Sequence, residues 1–212
     1  MRDPQPAAPE LAAIEIHGMS RSAFLVRSAL AAGAVYGAGA VSPYVRGSLA
    51  QSGGGDVGIL NFALTLEYLE AAFYAQALKD TPGLSGDIKK LATEIRDNED
   101  EHVDALTAAI KGAGGKPVKA PGVDFGDAFA SEKSFLKLAQ TLEDTGVSAY
   151  NGAGPSIESA EVLGAAGSIV QIEARHAGLI RLARGETPAP DAFDKSLTTD
   201  EVLEAVKPFV TS

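Results

Sequence analysis

The feature that most constrains the fold of this chain is an internal repeat. The stretch TLEYLEAAFYAQA, which begins at position 65, aligns with TLEDTGVSAYNGA, which begins at position 141. Each copy places a Tyr seven positions after a Glu, as Glu67 and Tyr74 in the first copy and Glu143 and Tyr150 in the second. Two copies of one unit predict two structural halves related by an approximate two-fold axis.

Each half also contains a Glu-x-x-His pair. The first pair is Glu99 and His102 in NEDEHVDALT, and the second is Glu173 and His176 in QIEARHAGLI. Residues three positions apart project from the same face of an α-helix, so each pair predicts two polar side chains on one helix face. A single Glu-x-x-His pair is common by chance, whereas two pairs that each follow a Glu-x6-Tyr segment form a specific pattern.

The spacing of apolar residues around these motifs is helical. Intervals of three and four predict four long helices that end in stretches rich in Gly or Pro, at about residues 56–80, 86–112, 131–153 and 157–184. A short last helix in TTDEVLEAVKPF is expected to be capped by Thr199 or Asp200. The connection at about residues 113–130 is long enough to cross the bundle. The sequence therefore predicts an all-α four-helix bundle with one long crossover connection and a short C-terminal helix.

The composition excludes several classes of function. The 212 residues carry a formal net charge of −10, and after residue 50 there are 14 basic and 25 acidic residues. Such a surface repels nucleic acid and anionic lipid. The chain has no Cys, which excludes disulfides, thiolate zinc sites and iron–sulfur clusters. Any bound metal ion would therefore be held by oxygen and imidazole ligands.

The beginning of the chain differs from the body. Residues 1–18 are polar and rich in Pro, and we expect a disordered tail there. Residues 19–54 combine arginines, an uncharged run of small and apolar residues and a Gly-rich linker, which is the layout of an export signal. The stretch SRSAFL resembles a twin-arginine leader motif in which Ser22 stands in place of the second arginine. This predicts export to the periplasm or cell envelope, with residues 55–212 as the bundle domain.

The same segment has a second interpretation. It could be a Gly/Ala-rich helix that packs on the body, or on a neighbouring subunit of a homo-oligomer, in a cytoplasmic protein. Glycine, serine and proline dilute the apolar run, which disfavours a membrane-spanning helix. We therefore expect no membrane contact outside this segment.

The polar residues on the apolar helix faces predict a metal centre. An ionised carboxylate inside a bundle costs several kcal/mol, and four of them also repel one another. Two divalent cations would neutralise four carboxylates, while one imidazole completes the ligand set of each cation. Oxygen-rich ligation with one imidazole for each metal suits two iron ions, or alternatively manganese. The predicted ligands are Glu67, Glu99, His102, Glu143, Glu173 and His176.

Neighbouring polar residues receive other interpretations. The acidic residues that lie off the apolar stripe are expected to be solvated surface, namely Asp97, Asp100, Glu101 and Asp104. Glu70 lies about 60° around the helix from Glu67, and its counterpart in the second half is Gly146. The duplication thus favours Glu67 as the ligand and leaves Glu70 as a partner or occasional ligand. For Tyr74 and Tyr150, core packing with a hydrogen-bonded hydroxyl is favoured over an electron-relay role.

The constellation of six residues resembles the di-iron carboxylate site of the ferritin-like superfamily. The stretches NFALTLEYLEAAFY, NEDEHVDAL, TLEDTGVSAY, IEARHA and DAFDKSLTTDEVLEAVKPFV resemble bacterial ferritin-like proteins that are grouped with desiccation-related proteins. The resemblance covers about residues 20–210. It implies a ferritin-like four-helix bundle with a dinuclear iron or manganese site, and ferroxidase or peroxide-consuming activity.

The function expected from these features is oxidation of Fe(II) by O2 or H2O2, or consumption of peroxide, in protection against oxidative or desiccation stress. Two ferrous ions held by the six residues, which are then the catalytic residues, would deliver two electrons together. Two alternatives stay open. One is a catalase-like or oxygenase enzyme at the same site. The other is a non-catalytic structural or assembly protein, in which the metal only stabilises the bundle and the N-terminal segment joins subunits.

Overall fold

The computed structural model describes residues 54–211. The predicted tail and leader lie outside these residues, apart from Gly54. The described chain forms five α-helices, which are α1 (Asp56–Asp80), α2 (Gly86–Gly112), α3 (Glu132–Ala153), α4 (Ala160–Ala183) and α5 (Thr199–Val206). Two strands of two residues each, β1 (Gly122–Val123) and β2 (Val210–Thr211), pair in antiparallel register. Short 3-10 turns span Gly126–Ala130, Gly154–Ser156 and Lys207–Phe209. The all-α prediction is confirmed.

Two helix starts differ from the prediction. The fourth helix begins at Ala160 and not at 157, because Ile157 has an extended backbone after the 3-10 turn and the Ser159 side chain accepts a hydrogen bond from the Val162 N–H. The last helix is capped by Thr198 and not by Thr199 or Asp200. Thr198 and Glu201 form a reciprocal capping box, which stabilises the first turn through both side chains.

The order of the helices confirms the crossover. Tyr74 on α1 contacts Glu143 on α3, and Tyr150 on α3 contacts Glu67 on α1, so α1 and α3 are antiparallel. The connection between α1 and α2 is short, so these helices are also antiparallel. It follows that α2 and α3 run in the same direction, and the chain between them must return along the bundle.

Aromatic packing fixes this crossover connection to the bundle. The rings of Phe125 and Phe129 lie 5.2 and 5.4 Å, centroid to centroid, from the ring of Phe73 on α1. Phe135 on α3 stacks on the same Phe73 ring at 5.5 Å. Aromatic pairs at such distances add to the free energy gained by burying their area, so the long connection is held as part of the core.

The apolar core consists of two clusters with a polar layer between them. On α2, Ala92 and Ile95 belong to the first cluster, and Leu106 and Ile110 belong to the second. On α4, Ile180 belongs to the first cluster and Ile169 to the second. The Glu-x-x-His pairs lie between these positions on both helices, so apolar side chains separate the polar layer from either end of the bundle.

The C-terminal segment packs directly on α3. The Leu197 N–H donates to the Ser148 carbonyl at 3.0 Å, and a Cβ atom at Gly152 would lie 1.8 Å from the Leu197 carbonyl oxygen. Only glycine allows this backbone approach. Among the described residues, no helix is both long enough and apolar enough to cross a membrane.

Candidate metal centre

The six residues singled out by the sequence meet in one buried layer. Each of the four main helices contributes one Glu, and α2 and α4 each add one His. The carboxylates of Glu67, Glu99, Glu143 and Glu173 belong to residues with 0 % exposure. His102 and His176 are 8 % and 3 % exposed. The structure therefore brings together every predicted ligand.

The side chains form two groups of four that could each hold a metal ion. One group contains Glu67 and His102, the other contains Glu143 and His176, and both contain Glu99 and Glu173. Within each group, one potential ligand atom from every residue lies within 4.8 Å of the others. Two neighbouring groups that share two carboxylates have the arrangement of a dinuclear site.

The first group is packed around the His102 imidazole. Its Nδ1 lies 3.0 Å from Glu173 Oε1 and 3.2 Å from both Glu67 Oε2 and Glu99 Oε2. One N–H cannot be aligned with three acceptors at once. The convergence of one ring nitrogen and three carboxylate oxygens is what a cation requires, because each of these atoms can offer it a lone pair.

The second group is packed around His176. Its Nδ1 lies 2.9 Å from Glu99 Oε1 and 3.5 Å from Glu143 Oε2. On the other side of the ring, Nε2 lies 3.0 Å from the Asn98 amide nitrogen. No signal in the sequence indicated Asn98. The residue before the second Glu-x-x-His pair is Ile172, so the repeat does not mark this position as polar.

The tyrosines connect the two halves of the layer. The Tyr74 hydroxyl donates to Glu143 Oε1 at 2.5 Å, and the Tyr150 hydroxyl donates to Glu67 Oε1 at 2.5 Å. Each Tyr therefore positions the Glu of the opposite half. The predicted hydrogen-bonded hydroxyls are present, and the shared Glu-x6-Tyr spacing was their signal in the sequence.

Several buried atoms of the layer make no well-aligned hydrogen bond within the described residues, although some of them lie within 3.5 Å of one another. They are Glu99 Oε1, Glu143 Oε2, both carboxylate oxygens of Glu173 and Nδ1 of His176. A buried polar atom without a partner costs about 1–3 kcal/mol, and more when it is charged. Metal ions would supply partners for these oxygen and nitrogen atoms, so the residues fit a metal centre of the predicted type.

Burial and mutual contact shift the pKa values in the layer. Desolvation raises the pKa of Glu67 to about 8, although His102 acts in the opposite direction. Desolvation would also raise the pKa of Glu99, but hydrogen bonds with His102 and His176 outweigh it and lower this pKa to about 2. Burial alone would lower the pKa of the histidines, but the surrounding carboxylates raise it to about 12 for His102 and about 10 for His176. Without metal, the layer thus retains protons at neutral pH.

The remaining acidic residues near the motif fall into two classes. Asp97, Asp100, Glu101 and Asp104 are exposed, as their positions off the apolar stripe predicted. Glu70 is buried at 3 % exposure, and its Oε2 has no hydrogen-bond partner among the described residues. Glu70 thus belongs to the buried layer although it is outside both groups of four.

The chain is thus a four-helix bundle whose buried layer of carboxylates and imidazoles could bind metal ions. The chain belongs to the ferritin-like domain family, whose sequence model matches residues 55–186. The fold is similar to the crystal structure of a conserved hypothetical protein from Mycobacterium tuberculosis. The TM-score is 0.56 at 19 % identity, over 65 % of this chain and 96 % of that chain. Such identity supports the fold alone, and no curated protein matches the sequence.

Proposed function

We propose that this chain is a dinuclear iron or manganese protein that oxidises Fe(II) with O2 or H2O2, or consumes peroxide. The observation that carries the proposal is the pair of four-residue groups that share Glu99 and Glu173. In this proposal the two shared carboxylates hold both ions. Glu67 and His102 complete one position, and Glu143 and His176 complete the other.

A bound pair of iron or manganese ions would supply two electrons together, so that O2 or peroxide is reduced without release of radicals. The protein residues provide the environment for this chemistry. The tyrosines hold the Glu of the opposite half in place, and the apolar clusters on either side keep water away from the layer. His102 is the most exposed of the six side chains, so we expect small reactants to approach past it.

The first test measures metal content and Fe(II) oxidation together. The purified chain should bind about two Fe or Mn ions by elemental analysis and should accelerate Fe(II) oxidation over buffer. Replacing Glu99 and Glu173 together by Ala should abolish both properties. A matched control, the double variant Glu101→Ala, Asp104→Ala, removes two exposed acidic residues of α2 and should retain both. A protein with both shared carboxylates replaced that still binds two ions would contradict the proposed site.

The depth of burial favours a second candidate function, in which the metal only stabilises the bundle. Structural metal sites are closed, whereas catalytic sites keep an open position, and the four carboxylate residues have 0 % exposure. A structural role predicts that metal raises the unfolding temperature while Fe(II) oxidation stays at the buffer rate. Evolution of O2 from H2O2 by manganese-loaded protein would instead identify catalase-like chemistry at the same residues.

Cellular location and assembly are proposals based on the sequence alone. We propose that residues 19–54 direct export and that the exported protein protects against oxidative or desiccation stress. Fractionation of cells expressing the full chain, compared with Arg21→Ala, tests the first part. Export predicts that the wild-type protein is outside the cytoplasm and that the variant stays inside. Equal distribution of both proteins would favour the interpretation of this segment as a subunit contact.

A further inference from the structure

Glu70 is a buried carboxylate that the six-residue site does not explain. It lies on α1, one turn after Glu67, and is 3 % exposed. Its Oε2 has no hydrogen-bond partner among the described residues. Burial of an unpaired carboxylate is costly, and an Ala or Leu at this position would avoid that cost. The energetic argument that predicted the six ligands therefore applies to Glu70 as well.

The position of the Glu70 carboxylate is defined by Gly146 on α3. A Cβ atom placed on Gly146 would lie 3.1 Å from Glu70 Oε1 and 3.3 Å from Glu173 Oε2. The two carboxylates therefore border the same small space, and Glu173 belongs to both groups of potential ligands. Because Gly146 has no side chain, Glu70 can extend from α1 toward the centre of the layer.

The order of residues along α1 places Glu70 between side chains that belong to the two groups. Glu67 belongs to the group of His102, whereas Tyr74, two turns later, donates to Glu143 of the other group. Glu70 lies between these two positions on α1. Its side chain is thus on the part of the helix that leads from the His102 group toward the group of Glu143 and His176.

We propose that Glu70 is a seventh metal ligand, at the position held by Glu143 and His176. This inference rests on the proposed function, since it requires that the layer binds two ions. A seventh ligand makes the two metal positions unequal, with four protein ligands at the His102 position and five at the His176 position. The additional negative charge and ligand predict that the His176 position binds a divalent cation first and more tightly.

The test is a calorimetric titration of the metal-free full chain with Mn(II). The wild-type protein should bind two Mn(II) ions with different dissociation constants. Glu70→Gln keeps the shape of the side chain and removes its charge, and should weaken the tighter step by at least about ten-fold, the lower range for changes around metal ligands. Glu101→Gln, an exposed control on α2, should leave both steps unchanged.

A swap variant uses the internal repeat as a second control. In the double variant Glu70→Gly, Gly146→Glu, the additional carboxylate moves to the equivalent place in the other half. The order of binding should then reverse, with the His102 position filled first. Anomalous scattering from crystals with one equivalent of Mn(II) would identify the occupied position in each protein.

The unfolding temperature of the metal-free protein distinguishes a role of Glu70 as a metal ligand from a purely structural role. A Glu70 that only stabilises the bundle should give a metal-free Glu70→Gln protein with a lower unfolding temperature. A ligand whose burial is unfavourable should give an unchanged or higher unfolding temperature. If wild-type protein binds no Mn(II) and no Fe(II), the proposed function itself fails. If it binds two ions and Glu70→Gln shows the same two dissociation constants, only the role of Glu70 is wrong.

Discussion

The two helix pairs of this bundle, α1 with α2 and α3 with α4, repeat one polar motif although most of their other residues differ. Each pair supplies a Glu, a Tyr and a Glu-x-x-His at matching places. Neither pair can build a metal position alone, because each group of four contains Glu99 from α2 and Glu173 from α4. The Tyr contacts also cross between the halves. The repeat therefore specifies a site that exists only when both copies are packed together.

The differences between the copies are as informative as the shared residues. Glu70 in the first half corresponds to Gly146 in the second, and Asn98 corresponds to Ile172. The Asn98 amide contacts His176, whose exposure is lower than that of His102. If Glu70 is a ligand at the proposed position, both differences add polar groups around His176. An approximately symmetric fold has thereby become an asymmetric centre.

The largest effect is expected where the two halves share ligands. Glu99→Ala or Glu173→Ala should reduce the bound Mn(II) well below two ions per chain, since each removes a ligand from both groups and weakens both positions. Glu67→Ala and Glu143→Ala should each weaken one position only, because each belongs to one group, and the smaller loss is expected for Glu143→Ala if Glu70 also binds at that position. Elemental analysis after dialysis measures the number of Mn(II) ions that each chain retains. Equal losses in all four variants would mean that the carboxylates are not divided into shared and separate ligands.

A smaller effect common to both halves is expected from pH. The folded-state pKa of Glu67 is raised from 4.5 to about 8, and those of His102 and His176 from 6.5 to about 12 and about 10. Between pH 6.5 and 8 the folded protein therefore holds protons that the unfolded chain releases, and rising pH favours unfolding. The lowered pKa of Glu99 acts in the opposite direction only in acid, between about 2 and 4.5.

We expect the free energy of unfolding of the metal-free protein to fall by at least about 1 kcal/mol between pH 6.5 and 8, since one pKa unit corresponds to about 1.4 kcal/mol. For a domain of this size that lowers the unfolding temperature by about 2–4 °C. Metal binding releases protons, so the stabilisation by Mn(II) should grow over the same range. Thermal unfolding with and without Mn(II) measures both trends. A metal-free protein that gains stability toward pH 8 would contradict these pKa shifts.

The sequence predicted the part of the structure that depends on spacing. Helix periodicity and the repeat placed the six polar residues on inward faces, because residues three or four apart share a helix face whatever the tertiary structure. The parallel direction of α2 and α3 also followed from the length of one connection. These features are properties of a single chain segment or of two segments that share one motif.

What the sequence did not predict depends on contacts between unrelated segments. The partner of Asn98 is on α4, and no pattern joins the two positions. The space beside Gly146 exists only because α1 and α3 approach closely there. Similarly, the start of α4 depends on a turn around Pro155 that periodicity does not detect. Such contacts distinguish the two halves, so sequence reasoning recovered their similarity better than their difference.

The most local effect, on one binding step only, should come from Asn98, which distinguishes the His176 position from the His102 position. If His176 binds a cation through Nδ1, the imidazole proton must be on Nε2. The Nε2–H can then donate a hydrogen bond to Asn98, provided that the amide oxygen of Asn98 faces the ring. Asn98→Ala should weaken one Mn(II) binding step by about ten-fold and leave the other step unchanged. Asn98→Asp keeps an acceptor and should retain most of the affinity, whereas Ile172→Ala, at the matching place in the other half, should affect neither step by this route. Equal weakening of both steps by Asn98→Ala, measured by calorimetry, would mean that Asn98 stabilises the whole layer and does not distinguish its two positions.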